Sequence, residues 1–399
     1  MAELRNFYYR YLGSRMIISV IFNAFQVFFL WRIVEQYHSV FLAGLIATIS
    51  LAVSIVSSIP IGHLIDRMNS TLISLISSVA STAGLIFLAF GSQLPFIYIT
   101  AGFLSLGFTM KGDSFSAIMK KHLPEDQFLK GNSLSQAGSF VSTLIGTVLG
   151  GLAILYFGNQ LYLILIALAV ASAITSAPIA EASSRESGSS AAKELASSIG
   201  FYRKILGLVV VAFILNGLFE SLDVYSSGLF HLILRASPLY YTAFIASIPI
   251  GGIFGSWLSG KLNKRVDKPL ALSLLVLCYA PIFILLGISG SAIFDVGLGL
   301  SVGILLPVIN IPLQTRIMKI IPRNIYGKVM AFLRIFLGGS TPAMAAVLSF
   351  ASIFLRVDTI FLYIGFIMLP VTALSFLMLP KLFALGGGES TDATISPTG

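Results

Sequence analysis

The sequence predicts an all-α integral membrane protein with twelve transmembrane helices in two pseudo-symmetric six-helix bundles. Three observations lead to this fold class. The chain is 56% apolar with a mean hydropathy of +0.94, and only 10% of its residues are charged. Apolar runs of membrane-spanning length recur from one end to the other. Finally, two short loops of the first half recur at one constant spacing in the second half.

The predicted helices follow from the lengths of the apolar runs. A helix needs about 20 apolar residues to cross roughly 30 Å of hydrocarbon, and isolated strands could not satisfy their backbone groups in lipid. The runs that meet this condition, numbered spans 1 to 12, are 7–33, 40–62, 70–90, 95–119, 133–156, 160–180, 206–233, 238–260, 269–288, 293–315, 328–353 and 359–380. Span 1 contains Arg15 and no cleavage pattern follows it, so we interpret it as a permanent span.

Four segments are predicted from these spans. Residues 1–180 form an amino-terminal six-helix bundle and residues 205–385 a carboxy-terminal one. Between them, the Ser-rich and charged residues 181–204 form a cytoplasmic linker, flexible or partly helical. Residues 386–399 have no apolar content to bury, which predicts a disordered cytoplasmic tail.

Charge predicts the orientation. Most of the 25 Lys and Arg residues fall in loops on the same side as the amino terminus, and short cytoplasmic loops retain positive charge. We therefore expect a multi-pass protein of the cell membrane with both termini cytoplasmic. The net charge of +9 then reflects topology and contact with anionic lipids rather than nucleic-acid binding. A single cysteine, Cys278, excludes an intrachain disulfide and a cysteine-rich metal cluster.

The repeated loops indicate an internal duplication. GHLIDR at Gly62–Arg67 aligns with GKLNKR at Gly260–Arg265. At the same spacing, LPEDQFLK after span 4 aligns with IPRNIYGK after span 10, so that Pro124 matches Pro322. A repeat of six spans is typical of transporters whose two halves move around a site near the bilayer midplane.

These motifs resemble the major facilitator superfamily through span 12. GHLIDR resembles its signature loop between helices two and three, and the segments FYYRYLGSRMI and AIMKKHLPEDQFLKGNSLSQ are similar to the drug, macrolide and siderophore exporter branch. The resemblance implies a conformational latch of Gly62, Asp66 and Arg67 with Arg334 of span 11. It departs in span 5, where Thr147 stands at the usual proline position.

Ionisable residues inside spans are functional hypotheses, because lipid makes buried charge expensive. Apart from Arg334, these residues lie in spans 1, 4, 7 and 10, which is one span in every three. The resemblance to the superfamily implies that these four spans surround a central cavity. The residues are Arg15 in span 1, Lys111 and Asp113 in span 4, Glu220 and Asp223 in span 7, and Asp295 at the start of span 10.

Span 7 carries the predicted proton-coupling site. Asn216, Glu220, Asp223 and Ser227 recur at spacings that place them on one helical face. Two acids on one face favour uptake of a shared proton, and we add Asp113 of span 4 to this proton-coupling set. The alternative is a structural pair satisfied by neighbouring side chains.

The predicted substrate-binding residues are the basic and amide side chains of the cavity-facing spans. Arg15 and Asp113 have matching depths, so a salt bridge between them and contact with substrate are both open. Lys111 points away from Asp113, and amides in spans often only join helices. The set is Arg15, Asn23, Gln26, Lys111, Asn216, Asn310 and Gln314.

These features predict a secondary active transporter that works by rocker-switch alternating access. The leading hypothesis is proton-coupled efflux of small amphipathic, drug-like compounds by antiport; the alternative is proton-coupled uptake of a small nutrient or organic anion. We expect a monomer without cofactor or metal, whose partners are a substrate, protons or another coupling ion, and membrane lipids. An enzyme is not expected, since Gly112-Asp113 lacks the rest of an intramembrane aspartyl protease motif and no nucleotide-binding loop occurs.

Overall fold

The structure is a computed structural model that describes residues 2–122, 125–177, 191–266, 268–320 and 326–385. Within these ranges all regular structure is helical. In chain order, spans 1 to 12 are Ala2–Tyr37, Val40–Arg67, Ser70–Phe90, Leu94–His122, Glu125–Leu152, Leu161–Thr175, Ala191–Gly228, Pro238–Val266, Pro269–Leu277 with Tyr279–Ile288, Ala292–Ile320, Tyr326–Ala351 and Val357–Leu385.

The described helices confirm the predicted fold class. Ten helical segments are long and apolar enough to cross a membrane, and Phe336–Ala351 is a shorter apolar helix. One of the ten, Leu134–Thr175, contains two spans, because the chain turns at Gly158, whose φ of +53° favours glycine. Spans 5 and 6 are therefore separate, and the total is twelve.

Helix contacts repeat from one half of the chain to the other. In the first half span 1 packs on span 5, span 2 on span 4 and span 3 on span 6; in the second half the pairs are 7 with 11, 8 with 10 and 9 with 12. The main contacts between the halves join span 2 to span 11 and span 5 to span 8. The molecule is thus two six-helix bundles related by pseudo-symmetry.

Glycines allow the closest helix crossings inside each bundle. A Cβ atom at Gly303 of span 10 would overlap the carbonyl oxygen of Ile248 in span 8. In the other bundle, a Cβ atom at Gly146 of span 5 would lie 2.6 Å from the carbonyl oxygen of Val20 in span 1. Small residues at such crossings let two backbones approach, which is the main source of helix attraction in lipid.

The two bundles meet tightly at one end of the molecule. We call this the His38 end, since it contains the loop between spans 1 and 2, and the opposite end the basic end. Near the His38 end, Gly44 of span 2 fits against Ser349 of span 11, and Gly151 of span 5 fits against Thr242 of span 8. The bundles are therefore closed against each other toward the His38 end.

Two departures from regular helix have local causes. Span 9 breaks at Cys278, because Pro281 has no N–H to donate to the carbonyl of Leu277 one turn earlier. Span 7 begins at Ala191, within the predicted linker, so the end of that segment is helical and continuous with the span. The predicted boundaries of the two bundles, the linker and the tail remain predictions, and residues 386–399 lie outside the described chain.

Candidate functional site

A central cavity of about 280 Å³ lies between the two bundles. Spans 1, 2 and 5 form its amino-terminal side, and spans 7, 8 and 10 form its carboxy-terminal side. Most of its wall is apolar, with Phe22 and Phe140 on one side and Ile248 and Leu306 on the other. A concave, mostly apolar site with a few polar groups is the usual form of a small-molecule site.

Span 1 brings two predicted substrate residues to this cavity. Asn23 and Gln26 both line it. The Asn23 amide donates to the carbonyl of Ser19 on its own helix at 2.7 Å, and the Gln26 amide donates to the hydroxyl of Ser50 in span 2 at 3.3 Å. Their amide nitrogens are therefore engaged, whereas the side-chain oxygen of Gln26 is buried without a partner among the described residues.

The carboxy-terminal side of the cavity contains an acidic residue, Asp223. Asp223 of span 7 lies deep in the protein, yet its side chain is exposed because it borders the cavity. It acts electrostatically on Tyr241 of span 8, which also lines the cavity. Two turns further along span 8, Pro249 has no N–H for the carbonyl of Ile245, and both residues line the wall.

Three buried oxygen atoms of the cavity wall have no hydrogen-bond partner in the described part of the chain. They are Oε1 of Gln26, Oγ1 of Thr147 and the hydroxyl of Tyr241. Buried polar atoms are nearly always hydrogen-bonded in native proteins, so these three oxygen atoms are uncommitted, although they are enclosed in the wall in this conformation. Oε1 of Gln26 and the carboxylate of Asp223 accept hydrogen bonds, whereas the hydroxyls of Thr147 and Tyr241 can both donate and accept.

A second cavity of about 170 Å³ adjoins the first toward the basic end. The two share Phe22, Asn23 and Thr143 as lining residues. Arg15 lines the second cavity, donates to the hydroxyl of Ser135 in span 5, and is 5.2 Å from the ring centre of Phe115. Asp113 adds electrostatic stabilisation of its charge. The structure thus places Arg15 in a cavity that spans 1, 4 and 5 line, next to the central cavity on the side of the basic end.

Lys111 takes a different position from the other predicted substrate residues. It is 1% exposed and does not belong to the lining of either cavity. Its Nζ donates to oxygen atoms of Ser74, Ser78 and Ser176 on spans 3 and 6. Asn216 likewise turns to a neighbouring helix, since its amide donates to the carbonyl of Leu337 at 3.0 Å. The structure does not bring these two residues into the central cavity.

Several predicted residues lie outside the cavity lining or outside the described side chains. Asn310 is exposed on span 10, one turn beyond the cavity residue Leu306 on the same helical face. Of the latch, Gly62 is exposed, with open space around it. The side chains that lie outside the described part of the structure are those of Glu220, Gln314, Asp66, Arg67 and Arg334.

Sequence reasoning missed two of the three oxygen-bearing cavity residues as binding groups. Thr147 was noted only for standing at a proline position, and Tyr241 was not singled out. A signal for Tyr241 does exist, because Tyr241, Ile245 and Pro249 recur at intervals of four on span 8 and line one face. That face becomes recognisable as a cavity wall only when the partner bundle is in place.

Comparison with solved structures supports this fold. A crystal structure of the peptide transporter POT in complex with sulfate aligns with a TM-score of 0.73 at 15% identity, covering 95% of each chain. A POT family transporter in complex with a thioalcohol-conjugated peptide gives 0.74 at 14% identity, covering 93% of this chain and 96% of the other. An inward-facing bacterial homologue of the human lysosomal transporter Spinster gives 0.69 at 13% identity, with 94% and 98% covered.

Sequence comparison identifies the family. No curated protein matches the sequence, so substrate and direction are not transferred from a relative. The profile of the Major Facilitator Superfamily, however, matches residues 12–346, which is most of the chain and extends from span 1 into span 11. The two-bundle fold, the central cavity and this match agree: the chain belongs to the Major Facilitator Superfamily of membrane transporters.

Proposed function

We propose that the protein is a secondary active transporter that exports small amphipathic organic compounds in exchange for protons. The observation that carries this proposal is the central cavity, which is lined by both bundles and contains Asp223 and three uncommitted oxygen atoms. A site built from both halves changes its access when the halves rock against each other. Such motion needs no covalent chemistry, cofactor or nucleotide.

The contacts between the bundles support alternating access. They are tight toward the His38 end, at Gly44 with Ser349 and at Gly151 with Thr242, whereas toward the basic end the central cavity adjoins a second cavity, which spans 1, 4 and 5 line. If positive charge places the basic end in the cytoplasm of a cell membrane, this conformation is inward-facing. The proposed latch of Gly62, Asp66, Arg67 and Arg334 would hold the opposite, outward-open state.

The chemistry of the cavity favours substrates that carry a hydrogen-bond donor and positive charge. Gln26, Thr147 and Tyr241 present oxygen atoms, and Asp223 presents a carboxylate. The surrounding wall is apolar, and a cavity of 280 Å³ suits a small molecule. A cationic amphipath would satisfy both parts of the surface, with its charge at Asp223 and its apolar body against the phenylalanines.

Proton coupling is assigned to Asp223 together with Glu220 one turn away. A carboxylate in a membrane interior is costly unless it is paired with a cation or protonated. Proton and cationic substrate would therefore compete for Asp223, and each would leave when the other binds. This competition converts an inward proton gradient into outward transport of the substrate.

Uptake is the second candidate, and Arg15 favours it. Its guanidinium lies in the second cavity, next to the hydroxyl of Ser135. This arrangement could hold the carboxylate or phosphate of an organic anion that moves with protons. Export and uptake use the same fold and cavity, so the direction of coupled proton flow separates them.

The test is substrate-induced proton movement in proteoliposomes, measured with cationic dyes, drugs, sugars and organic acids. Asp223→Asn is compared with wild type and with Asp358→Asn, whose carboxylate is paired with Arg356 at the His38 end. We expect proton flux opposite to a cationic substrate, lost in Asp223→Asn and retained in Asp358→Asn. Flux in the same direction as a sugar or acid would establish uptake, and unchanged coupling in Asp223→Asn would remove Asp223 from the mechanism.

A further inference from the structure

A fully buried ammonium group lies in a ring of serine oxygens in the amino-terminal bundle. Nζ of Lys111 donates to the carbonyl of Ser74 at 2.7 Å and to the hydroxyls of Ser74 at 3.0 Å, Ser78 at 2.8 Å and Ser176 at 2.6 Å. Lys111 and these three serines are at most 1% exposed. We call the four oxygen atoms the serine cage.

Two of the three cage hydroxyls have partners other than Lys111 that can accept their hydrogens. The hydroxyl of Ser176 reaches the carbonyl of Ser172 at 2.6 Å, and that of Ser78 reaches the hydroxyl of Ser172 at 2.9 Å. Ser14 of span 1 joins the same network through Ser172 at 2.8 Å. The hydroxyls of Ser78 and Ser176 can therefore direct their hydrogens away and their lone pairs toward Nζ, and the carbonyl of Ser74 adds a pure acceptor, which is the arrangement that surrounds a cation.

No carboxylate balances this charge in the described part of the chain, where the ion pairs are Arg32 with Glu35 and Arg356 with Asp358. Neutral oxygen atoms alone stabilise the ammonium. Divalent cations are normally held with carboxylates, so a cage of hydroxyls and one carbonyl suits a single positive charge. The cage also joins spans 3, 4 and 6, and through Ser14 span 1.

We propose that the serine cage is a binding site for a small monovalent cation, and that Lys111 fills it permanently from within the chain. The tethered charge cannot exchange, so it holds four spans of the amino-terminal bundle together in every conformation. When the ammonium is removed and space is left, the cage binds a free cation of similar size and donor chemistry, such as ammonium. This site is separate from the central cavity and does not depend on the proposed substrate.

The experiment compares thermal unfolding of wild type, Lys111→Ala and Lys111→Met in detergent with ammonium chloride, potassium chloride or choline chloride. Alanine empties the cage, whereas methionine fills its approach with an apolar chain of similar length. We expect ammonium to raise the Tm of Lys111→Ala by about 5 °C over choline, through binding to the folded state. Potassium should give a smaller rise, and the Tm of wild type and of Lys111→Met should not depend on the cation.

Any other outcome of the unfolding experiment would contradict the proposed cation site. Equal Tm values for Lys111→Ala in all three salts, or the same ammonium effect in Lys111→Met, would show that no cation enters the cage. If Lys111→Ala cannot be purified in choline, the preparation is repeated in ammonium chloride. Recovery of folded protein only with ammonium supports the proposal, and failure in every salt overturns it.

Discussion

Among the described side chains, Lys111 and Arg15 of the amino-terminal bundle are held inside the membrane by hydrogen bonds, whereas Asp295 and Asp223 of the carboxy-terminal bundle have no comparable enclosure. Lys111 makes four hydrogen bonds to serines, and Arg15 donates to Ser135. Across the molecule, Asp295 is fully buried, and neither of its carboxylate oxygens has a described partner at hydrogen-bond geometry, although the hydroxyl of Ser289 is near enough to act on it. Asp223 borders the open cavity.

We infer from this difference that the two bundles have different roles. A charge enclosed by fixed oxygen atoms cannot change partners without breaking the packing around it. An unsatisfied carboxylate remains free to take a proton or a cationic ligand. Under the proposed function, the amino-terminal bundle is the scaffold and the carboxy-terminal bundle carries the groups that exchange.

The largest expected effect is on stability and contrasts the two kinds of buried charge. Lys111→Met leaves the serine cage without its cation, and we expect a loss of about 3 kcal/mol in the free energy of unfolding. Asp295→Asn changes at most the interaction with the Ser289 hydroxyl, and its cost should stay within about 1 kcal/mol. Thermal unfolding of both variants measures this, and equal losses would contradict the contrast.

The second effect concerns the closed contacts at the His38 end. Gly151→Leu places a side chain where Thr242 now lies, and we expect a shift of about 2 kcal/mol, or roughly 30-fold, away from the closed arrangement. Gly297→Leu on span 10 is the matched control, because open space surrounds Gly297. Labelling of a cysteine introduced at Gln26 reports the opening from the His38 side, and identical labelling in both variants would rule out this closure.

The third effect is on substrate affinity. Tyr241→Phe removes one uncommitted hydroxyl from the cavity but keeps the ring that packs on Trp31, with centroids 5.2 Å apart. We expect KM to rise about fivefold, corresponding to the loss of one hydrogen bond of about 1 kcal/mol. Initial rates of uptake into inverted vesicles measure this, and Tyr240→Phe, at the exposed neighbouring position, should leave KM unchanged.

The smallest effect is expected at Asn216, which was predicted from its position on the acidic face of span 7. Its amide donates to Leu337 and Ser340 of span 11, so Asn216→Ala should cost stability by about 0.6 kcal/mol and leave KM near wild type. A large rise in KM with unchanged Tm would show instead that Asn216 contacts substrate.

The sequence predicted the fold well, because the signals for it are local. Apolar length sets each span, and glycine and proline mark the turn at Gly158 and the break in span 9. For the cavity, intramembrane polarity singled out Asn23, Gln26 and Asp223, which the structure places in its lining, while their roles stay predictions. It could not separate them from Lys111, because the direction of a polar side chain depends on which helices pack beside it.

The serine cage and the uncommitted oxygens were equally hidden from the sequence. Ser74, Ser78, Ser172 and Ser176 are ordinary small residues of apolar helices until spans 3, 4 and 6 meet around one ammonium. Thr147 and Tyr241 belong to different bundles and form one wall only across their interface. Both features depend on contacts between segments that are far apart in the sequence, and the periodicity of a single helix carries no information about such contacts.

The central claim is that the two bundles rock about the cavity, and distances measured at both ends test it most directly. In a Cys278→Ser background, one pair of spin labels is placed at Gln36 and Leu239 at the His38 end, and another at Leu64 and Lys268 at the basic end; all four are exposed. On acidification or substrate addition, we predict that the first distance increases while the second decreases. Distances that change together, or stay fixed in samples that transport, would contradict the account.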